Sequence, residues 1–180
     1  MNIYKINRTL VIMKPDAIQR QLTTPILRRF EDNGLVVARM KIHQFGKPVF
    51  EEHYKHIRAK VADQRIFHNV VDWMSSMPLW YIELIGEDAA RRVKDMAGPT
   101  DPSKAPTTTI RGEFGIDTKE KADKELRATY NLLHTSDPES AEKEIRLFFN
   151  GLYRSFILAY NFVTSVKYID AHTRIKSKIL

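Results

Sequence analysis

Short apolar runs alternate with amphipathic segments along most of the chain. A β-prone apolar run predicts a buried strand over residues 9–13, partly alternating apolar residues predict a second strand over 35–45, and the run LWYIELI predicts a third over 79–85. Apolar residues at helical spacing predict helices over residues 48–57, 66–77, 87–97 and 138–149, and another that begins near Thr24. A fourth, short strand fits residues 130–134. This order of elements suits a ferredoxin-like α+β sandwich, in which helices cover one face of a four-stranded antiparallel sheet.

Capping and stop residues mark several helix ends. Thr24 is a candidate N-cap, since Pro25 follows at the first helical position, and Gly34 is a candidate stop. Ser136 or Asp137 is predicted to open the last helix.

The segment 98–111, GPTDPSKAPTTTIR, predicts a long loop inside the domain. It has three prolines and several hydroxyl residues, with too little apolar content to pack as a helix or strand. Ordered loops of this length are usually functional, so we expect this one to contribute to a site.

Composition bounds the class of protein. The 180 residues, of which 43% are hydrophobic, suffice for one domain over residues 1–150 with a C-terminal extension over 151–180. No apolar run reaches the roughly 18 residues of a membrane span, and the first residues lack the pattern of a signal peptide, so we expect a cytoplasmic protein. The absence of cysteine excludes disulfides, thiolate metal sites and a cysteine nucleophile.

The formal net charge of +7 favours anionic partners such as nucleotides, nucleic acids or acidic membranes. Acidic and basic residues are interspersed, and no long basic tract marks a nucleic-acid arm. Charge alone therefore predicts a solvated basic surface, with nucleic acid as a secondary partner.

The best-placed candidate nucleophile is His134, which ends an apolar strand directly before a predicted helix start. Backbone N–H groups at a helix start attract phosphate, and a neutral imidazole is a good nitrogen nucleophile near pH 7. The alternative is a structural, hydrogen-bonded histidine.

Two basic residues could accompany this histidine. Lys14 follows the first strand, where Pro15 fixes the turn, and would neutralise a phosphate as a point charge. Arg111 precedes Gly112, which permits close backbone approach, and would present a planar guanidinium to phosphate oxygens. Taken alone, each residue has a structural alternative: a surface lysine for Lys14 and a loop-anchoring ion pair for Arg111.

Three separated motifs resemble the nucleoside diphosphate kinase family: RTLVIMKPDAIQR from Arg8, GPTDPSKAPTTTIRGEFGID from Gly98 and NLLHTSDPESAEKEI from Asn131. They occur in the family's order, and the resemblance covers about residues 8–149. It implies a ferredoxin-like core and a hexamer or tetramer. It also implies transfer of the γ-phosphoryl group from a nucleoside triphosphate, mainly ATP, to a nucleoside diphosphate. The transfer is of the ping-pong type, through a phosphohistidine, with Mg²⁺ held mainly by the nucleotide phosphates and not by protein ligands.

Site residues follow from this resemblance. It implies that His134 is the phosphorylated nucleophile and that Lys14, Arg111 and Asn131 hold the phosphates and the sugar. Tyr54 resembles a family tyrosine near the histidine, and Thr100 a hydroxyl residue that contacts phosphate. Ser136 and Glu144 resemble the pair that supports the histidine; a helix N-cap and a solvated glutamate are the structural alternatives.

The chain also departs from the family pattern. Ile66 aligns with the aromatic residue that stacks on the base, so either stacking is weaker or the adjacent Phe67 supplies it. Lys94 aligns with a phosphate-binding arginine, so a point charge takes the place of a bidentate guanidinium. Arg91 and Arg92 would compensate only with a different helix register. The stretch from Asp137 to Ser140 is one residue shorter than usual.

Two segments lie outside the resemblance. The insert 118–130 contains a charged, helix-compatible stretch, residues 119–129, and is expected to project into solvent, with a helix over the nucleotide cleft as the alternative. The tail has apolar residues at helical spacing, which predict packing on the body or on a neighbouring subunit: Phe156, Ala159, Val163 and Val166.

Two other functions are compatible with the same sequence features. One is a non-catalytic module that binds nucleotide or nucleic acid with the same fold. The other is a histidine phosphocarrier that passes its phosphoryl group to a protein, because its first half-reaction is the same.

Overall fold

Apolar strands and amphipathic helices alternate in the computed structural model, which describes residues 6–61 and 63–150. The strands are β1 (Ile6–Met13), β2 (Val36–His43), β3 (Leu79–Glu87) and β4 (Leu133–Thr135). The helices are α1 (Pro15–Gln19), α2 (Thr23–Asp32), α3 (Lys47–Arg58), α4 (Gln64–Ser75), α5 (Ala89–Ala97), α6 (Ile110–Phe114), α7 (Lys119–Lys124) and α8 (Ala141–Ile145). A 3₁₀ turn covers Pro102–Lys104, and a π-helical turn covers Arg146–Asn150.

The four strands form one antiparallel sheet in the order β2-β3-β1-β4. The central strand β1 is apolar because both of its faces are covered; Leu10, Val11, Ile12 and Met13 have no exposed surface. In the register of β1 with β4, Ile12 lies opposite His134. The predicted α+β sandwich and its antiparallel sheet are confirmed.

One sheet face carries the main hydrophobic cluster, in which β1 and β3 pack against α1, α2, α5 and α6. The opposite face is also in contact with helices, since His53 of α3 lies against His134, and Arg8 binds Glu142 of α8. The prediction of helices on one face only is therefore incomplete. The second face matters because it carries His134.

Several predicted ends are displaced. α2 begins at Thr23 with Leu22 at the N-cap position, so Thr24 is not the cap; Gly34, at φ +75°, follows the helix end as predicted. The long loop is shorter than predicted, because α6 already begins at Ile110.

The last helix begins at Ala141, later than the predicted residue 138. Pro138 to Ser140 form a turn instead, closed by the N–H groups of Ser140 and Ala141, which donate to the Asp137 carbonyl. No side-chain cap from Ser136 is used, since its hydroxyl binds Glu144. The Asp137 side chain likewise has another partner, since it forms an ion pair with Lys94.

The insert packs on the domain, which contradicts the expectation that it projects into solvent. Ala122 of α7 is fully buried, and the Leu126 carbonyl accepts a hydrogen bond from Asn69 of α4. Tyr130 stacks on Trp73 of the same helix with ring centroids 4.9 Å apart. The charged residues of α7 still face water, which is why the sequence pattern looked like a solvated helix.

The chain divides into two compact units, Met1–Ile145 and Arg146–Leu180. Of the second unit, the structure describes only the π-helical turn. The predicted apolar stripe of the tail lies outside the described residues, so the assignment of 151–180 as a packing extension stays a prediction. Within the described part, no helix combines the length and apolarity that a membrane crossing needs.

Candidate active site

His134 lies at the end of the sheet with its imidazole held by a carboxylate. β4 places it beside the central strand, and Glu144 reaches it from α8, with 2.7 Å between His134 Nε2 and Glu144 Oε2. Both side chains are mostly buried, at 16% and 12% exposure. The glutamate is therefore a partner of the histidine, not the solvated residue that the structural alternative describes.

The charge state of Glu144 fixes the histidine tautomer. Burial opposes its ionisation, but the hydrogen bond and charge of His134, with help from His53 and Ser136, outweigh this and lower the pKa of Glu144 to about 2. An ionised carboxylate can only accept, so Nε2 of a neutral His134 must carry the proton. The lone pair of the imidazole is then on Nδ1.

Ser136 completes this arrangement from the strand side. Its hydroxyl donates to Glu144 Oε2 at 2.5 Å, and its backbone N–H donates to the Leu10 carbonyl of β1 at 3.1 Å. The carboxylate thus receives hydrogen bonds from both His134 and Ser136, which fixes its orientation.

Two aromatic side chains of α3 close the site beside His134. The His53 ring lies edge-on to the His134 ring with centroids 4.5 Å apart, and the Tyr54 ring lies at 6.4 Å. Both residues are buried. Burial, followed by the charge on His134, keeps the pKa of His53 well below its usual value, and burial raises that of Tyr54.

A second cluster lies where β1 ends. Lys14 Nζ donates to Asn131 Oδ1 at 2.7 Å, and Asn131 Nδ2 donates to the carbonyl of Thr100 at 2.7 Å. The Thr100 contact uses its backbone, and its side chain is exposed. These three predicted residues are therefore brought together from three separate segments of the chain.

Arg111 is the buried centre of this cluster. Its guanidinium donates to the carbonyls of Gly98, Asn131 and Leu133 at 2.5, 3.1 and 2.8 Å. Burial lowers the pKa of Arg111 to about 10, against the charge of Asp16. Since a guanidinium has five N–H groups, two remain for other acceptors such as phosphate oxygens. The neighbouring Gly112 is required here, because a Cβ would collide with the Pro106 carbonyl.

A strained backbone connects the two clusters. Leu132 has φ +72°, a conformation that costs a branched residue about 1–3 kcal/mol. It is held by hydrogen bonds on both sides, from its N–H to Asp16 Oδ2 at 3.0 Å and from the Lys14 N–H to its carbonyl at 2.9 Å. Leu132 therefore lies between the two clusters: Asn131 precedes it, with its side chain against Lys14, and β4 with His134 follows it.

The positions that depart from the family pattern have defined surroundings. Lys94 forms an exposed ion pair with Asp137, next to Ser136. Arg91 pairs with Asp88, and Arg92 donates to the carbonyls of Glu87 and Asn33, so the described contacts of both arginines lie elsewhere.

The predicted nucleobase contact is at the start of α4. Ile66 is partly buried there, and the adjacent Phe67 is fully enclosed beside the Arg58 guanidinium. Phe67 would therefore have to leave the core to stack on a base. The contact of Ile66 with a base stays a prediction.

Sequence reasoning missed two residues of the site, His53 and Asp16. Asp16 is buried, and burial raises its pKa, against the charge of Lys14 and backbone hydrogen bonds. Its position two residues after Lys14, at the start of α1, was its only signal in the sequence. His53 had only its place next to Tyr54 as a signal.

Lys14 should make activity depend on pH. Burial, together with the charge of Arg111, lowers the pKa of Lys14 to about 8. Lys14 is charged below this value and loses its proton above it, so kcat/KM for a nucleotide should fall about tenfold per pH unit above pH 8. The Lys14→Arg variant stays charged and should lack this limb, whatever its absolute activity. A profile that is the same in both proteins up to pH 10 contradicts the assignment.

An α+β domain with a carboxylate-held histidine, a buried arginine and a lysine at one end of its sheet belongs to the class of phosphate-handling enzymes. The family model "Nucleoside diphosphate kinase" matches residues 7–152. The chain belongs to the nucleoside diphosphate kinase family.

Individual relatives agree with this assignment. The nucleoside diphosphate kinase of Methanobrevibacter smithii is 37% identical over 146 residues, which are 81% of this chain and 88% of the relative. The Halobacterium salinarum enzyme, solved in complex with CDP, is 34% identical with a TM-score of 0.68, covering 81% of this chain and 88% of that one. The Borrelia burgdorferi enzyme, solved as a transition-state mimic with vanadate and ADP, is 26% identical with a TM-score of 0.75, covering 80% and 87%.

Proposed function

We propose that this nucleoside diphosphate kinase transfers the γ-phosphoryl group of a nucleoside triphosphate, mainly ATP, to a nucleoside diphosphate through a phosphohistidine at His134. The observation that carries the proposal is the hydrogen bond of His134 Nε2 to an ionised Glu144, which leaves the Nδ1 lone pair for attack.

In the first half-reaction, Nδ1 of His134 forms a bond to the γ-phosphorus as the bond to the bridging oxygen breaks. The nucleoside diphosphate leaves with that electron pair. No base is needed, because the attacking nitrogen carries no proton, and Glu144 offsets the positive charge that develops on the ring. The second half-reaction is the reverse, with an oxygen of the acceptor diphosphate attacking the phosphohistidine.

The basic residues are proposed to hold the phosphates. Arg111 has two N–H groups beyond its three carbonyl contacts, and Lys14 is hydrogen-bonded to Asn131. Phosphate and sugar would therefore meet donors at one place. Catalysis of this kind depends on positioning and on charge stabilisation.

Magnesium fits this site as a companion of the nucleotide. Three carboxylates beside the basic residues already have partners: Asp16 accepts from Leu132, Asp137 pairs with Lys94, and Glu144 binds His134. The basic residues beside them offer cations for the nucleotide phosphates. Lys14 and Arg111 would hold the phosphates that carry Mg²⁺, which supplies neutralisation of phosphate charge when bound.

Broad nucleotide specificity is part of the proposal. The contacts assigned to Lys14, Arg111 and Asn131 are to phosphate and sugar, which all nucleotides share. Relatives solved with ADP and with CDP support acceptance of both purine and pyrimidine nucleotides.

A homo-oligomer, hexameric or tetrameric, is also proposed. β2 lies at the sheet edge and exposes Val36, Met40 and Ile42. An apolar edge strand of this kind is suited to pairing with another chain.

The cytoplasmic location stays a prediction.

The test of the proposed function uses γ-labelled ATP. Purified protein with ATP and Mg²⁺ should acquire an acid-labile label, which a chase with GDP and with CDP should remove as GTP and CTP. An acid-labile label that GDP and CDP do not remove, but that moves to a protein acceptor, would identify a phosphocarrier. Folded protein that acquires no label contradicts the proposal, and salt-sensitive binding of RNA or DNA in that protein would favour the binding module.

Lys94→Arg introduces the residue type of the family pattern at this position. An arginine keeps the charge and can present two parallel N–H groups, so kcat/KM should stay unchanged or rise by up to about tenfold, the order of one added charged hydrogen bond. Lys55→Arg, another exposed lysine in an ion pair, is the matched control and should have no effect. A large loss in Lys94→Arg alone would show that position 94 does not correspond to the family arginine.

A further inference from the structure

We propose that His53, His134 and Glu144 form a binding site for a divalent transition metal of the zinc class, and that its occupancy inhibits the enzyme. Each residue offers one ligand atom, and these three atoms lie within 4.8 Å of one another. The inhibition rests on the proposed role of His134, whereas the binding of metal does not.

The identity of the ligands selects the metal. Two imidazole nitrogens and one carboxylate oxygen are a typical zinc set, and with bonds of about 2.0–2.1 Å the ligands of a tetrahedral zinc lie about 3.4 Å apart. The His134 and Glu144 atoms are already 2.7 Å apart, so these two must separate slightly while His53 moves closer. Mg²⁺ prefers oxygen ligands in an octahedral arrangement, so it would compete poorly for this set.

The three ligands come from three packed elements. His53 is on α3 and 6% exposed, His134 is on β4 beside the central strand, and Glu144 is on α8. Packing reduces the entropy that is lost when a metal orders its ligands. The partial exposure of His134 and Glu144 leaves a path by which an ion, and a water as fourth ligand, can enter.

Metal binding at this place would stop phosphoryl transfer for two reasons. A metal bond to the imidazole withdraws the electron density that attack on phosphorus requires. Coordination through Nε2 also requires the neutral ring to carry its proton on Nδ1, so the lone pair that is proposed to attack phosphorus is no longer available. A chelator would restore activity, because no covalent bond has changed.

The experiment is a titration of the chelator-treated full chain with ZnCl₂, without nucleotide, by calorimetry. We expect one tight site per chain, weakened at least tenfold in His53→Asn and in Glu144→Gln. His56→Ala, an exposed histidine on the same helix, should bind like the wild type. Co²⁺ in place of Zn²⁺ should give the intense visible absorption of a tetrahedral site, and circular dichroism checks that each variant is folded.

The outcomes separate this proposal from the proposed function. An active kinase without a stoichiometric zinc site, or with a site that folded His53→Asn leaves unchanged, overturns the metal site alone. Zinc binding at the site without loss of transfer overturns the inhibition. A protein that binds zinc through these residues but never forms phosphohistidine supports the site and contradicts the proposed function.

Discussion

His134→Ala should reduce phosphoryl transfer to background, a loss on the order of 10⁴-fold or more, while the protein stays folded. The side chain supplies the atom that bonds to phosphorus, and in the proposed mechanism no other group takes its place. The fold should survive because the ring is partly exposed, and its loss removes one hydrogen bond to Glu144 but no large part of the hydrophobic core.

The measurement combines turnover with GDP, labelling by γ-labelled ATP and thermal unfolding. His56→Ala is the matched control, since it removes an exposed histidine and should change none of the three. Retained turnover in His134→Ala would contradict the phosphohistidine mechanism. If the variant is unfolded, His134→Gln provides the same test with a polar side chain of similar length.

Arg111→Ala should lower the free energy of unfolding by about 3 kcal/mol or more and also abolish the stabilisation that nucleotide confers. Three backbone carbonyls would lose a charged donor at a position only 6% exposed, and an unsatisfied buried acceptor costs about 1–3 kcal/mol. Asp16 would lose a nearby opposite charge in the same place. The proposed phosphate contacts would disappear together with this support.

Denaturant unfolding with and without ADP separates the two effects. Arg28→Ala, an exposed arginine paired with Asp32, should change stability by less than about 0.5 kcal/mol and keep the response to ADP. Arg111→Lys should recover part of the stability, because an ammonium can reach some of the carbonyls, but not the bidentate contact with phosphate. An Arg111→Ala protein with full stability and full response to ADP would remove Arg111 from both roles.

The place of each strand in the chain could be predicted because apolar runs differ from the amphipathic segments between them, but the strand ends could not, since β1 begins at Ile6 and β4 covers only Leu133–Thr135. Residues 9–13 are apolar since the strand is covered on both faces, and this coverage leaves a visible pattern. Helix starts were less certain: α2 begins without a side-chain cap, and the start of α8 is set by a turn around Pro138. Such turns depend on backbone hydrogen bonds, which hydrophobic periodicity does not record.

The candidate site divides in the same way. By itself the sequence determined which kinds of group are available, a histidine at a strand end with a lysine and an arginine after other elements, because motifs preserve chemistry locally. Only the tertiary structure decided that Glu144 fixes the His134 tautomer, that three carbonyls orient Arg111 and that His53 lies against His134. These features arise from contacts between elements far apart in the chain, where distance and burial, and not spacing along the sequence, determine charge state and orientation.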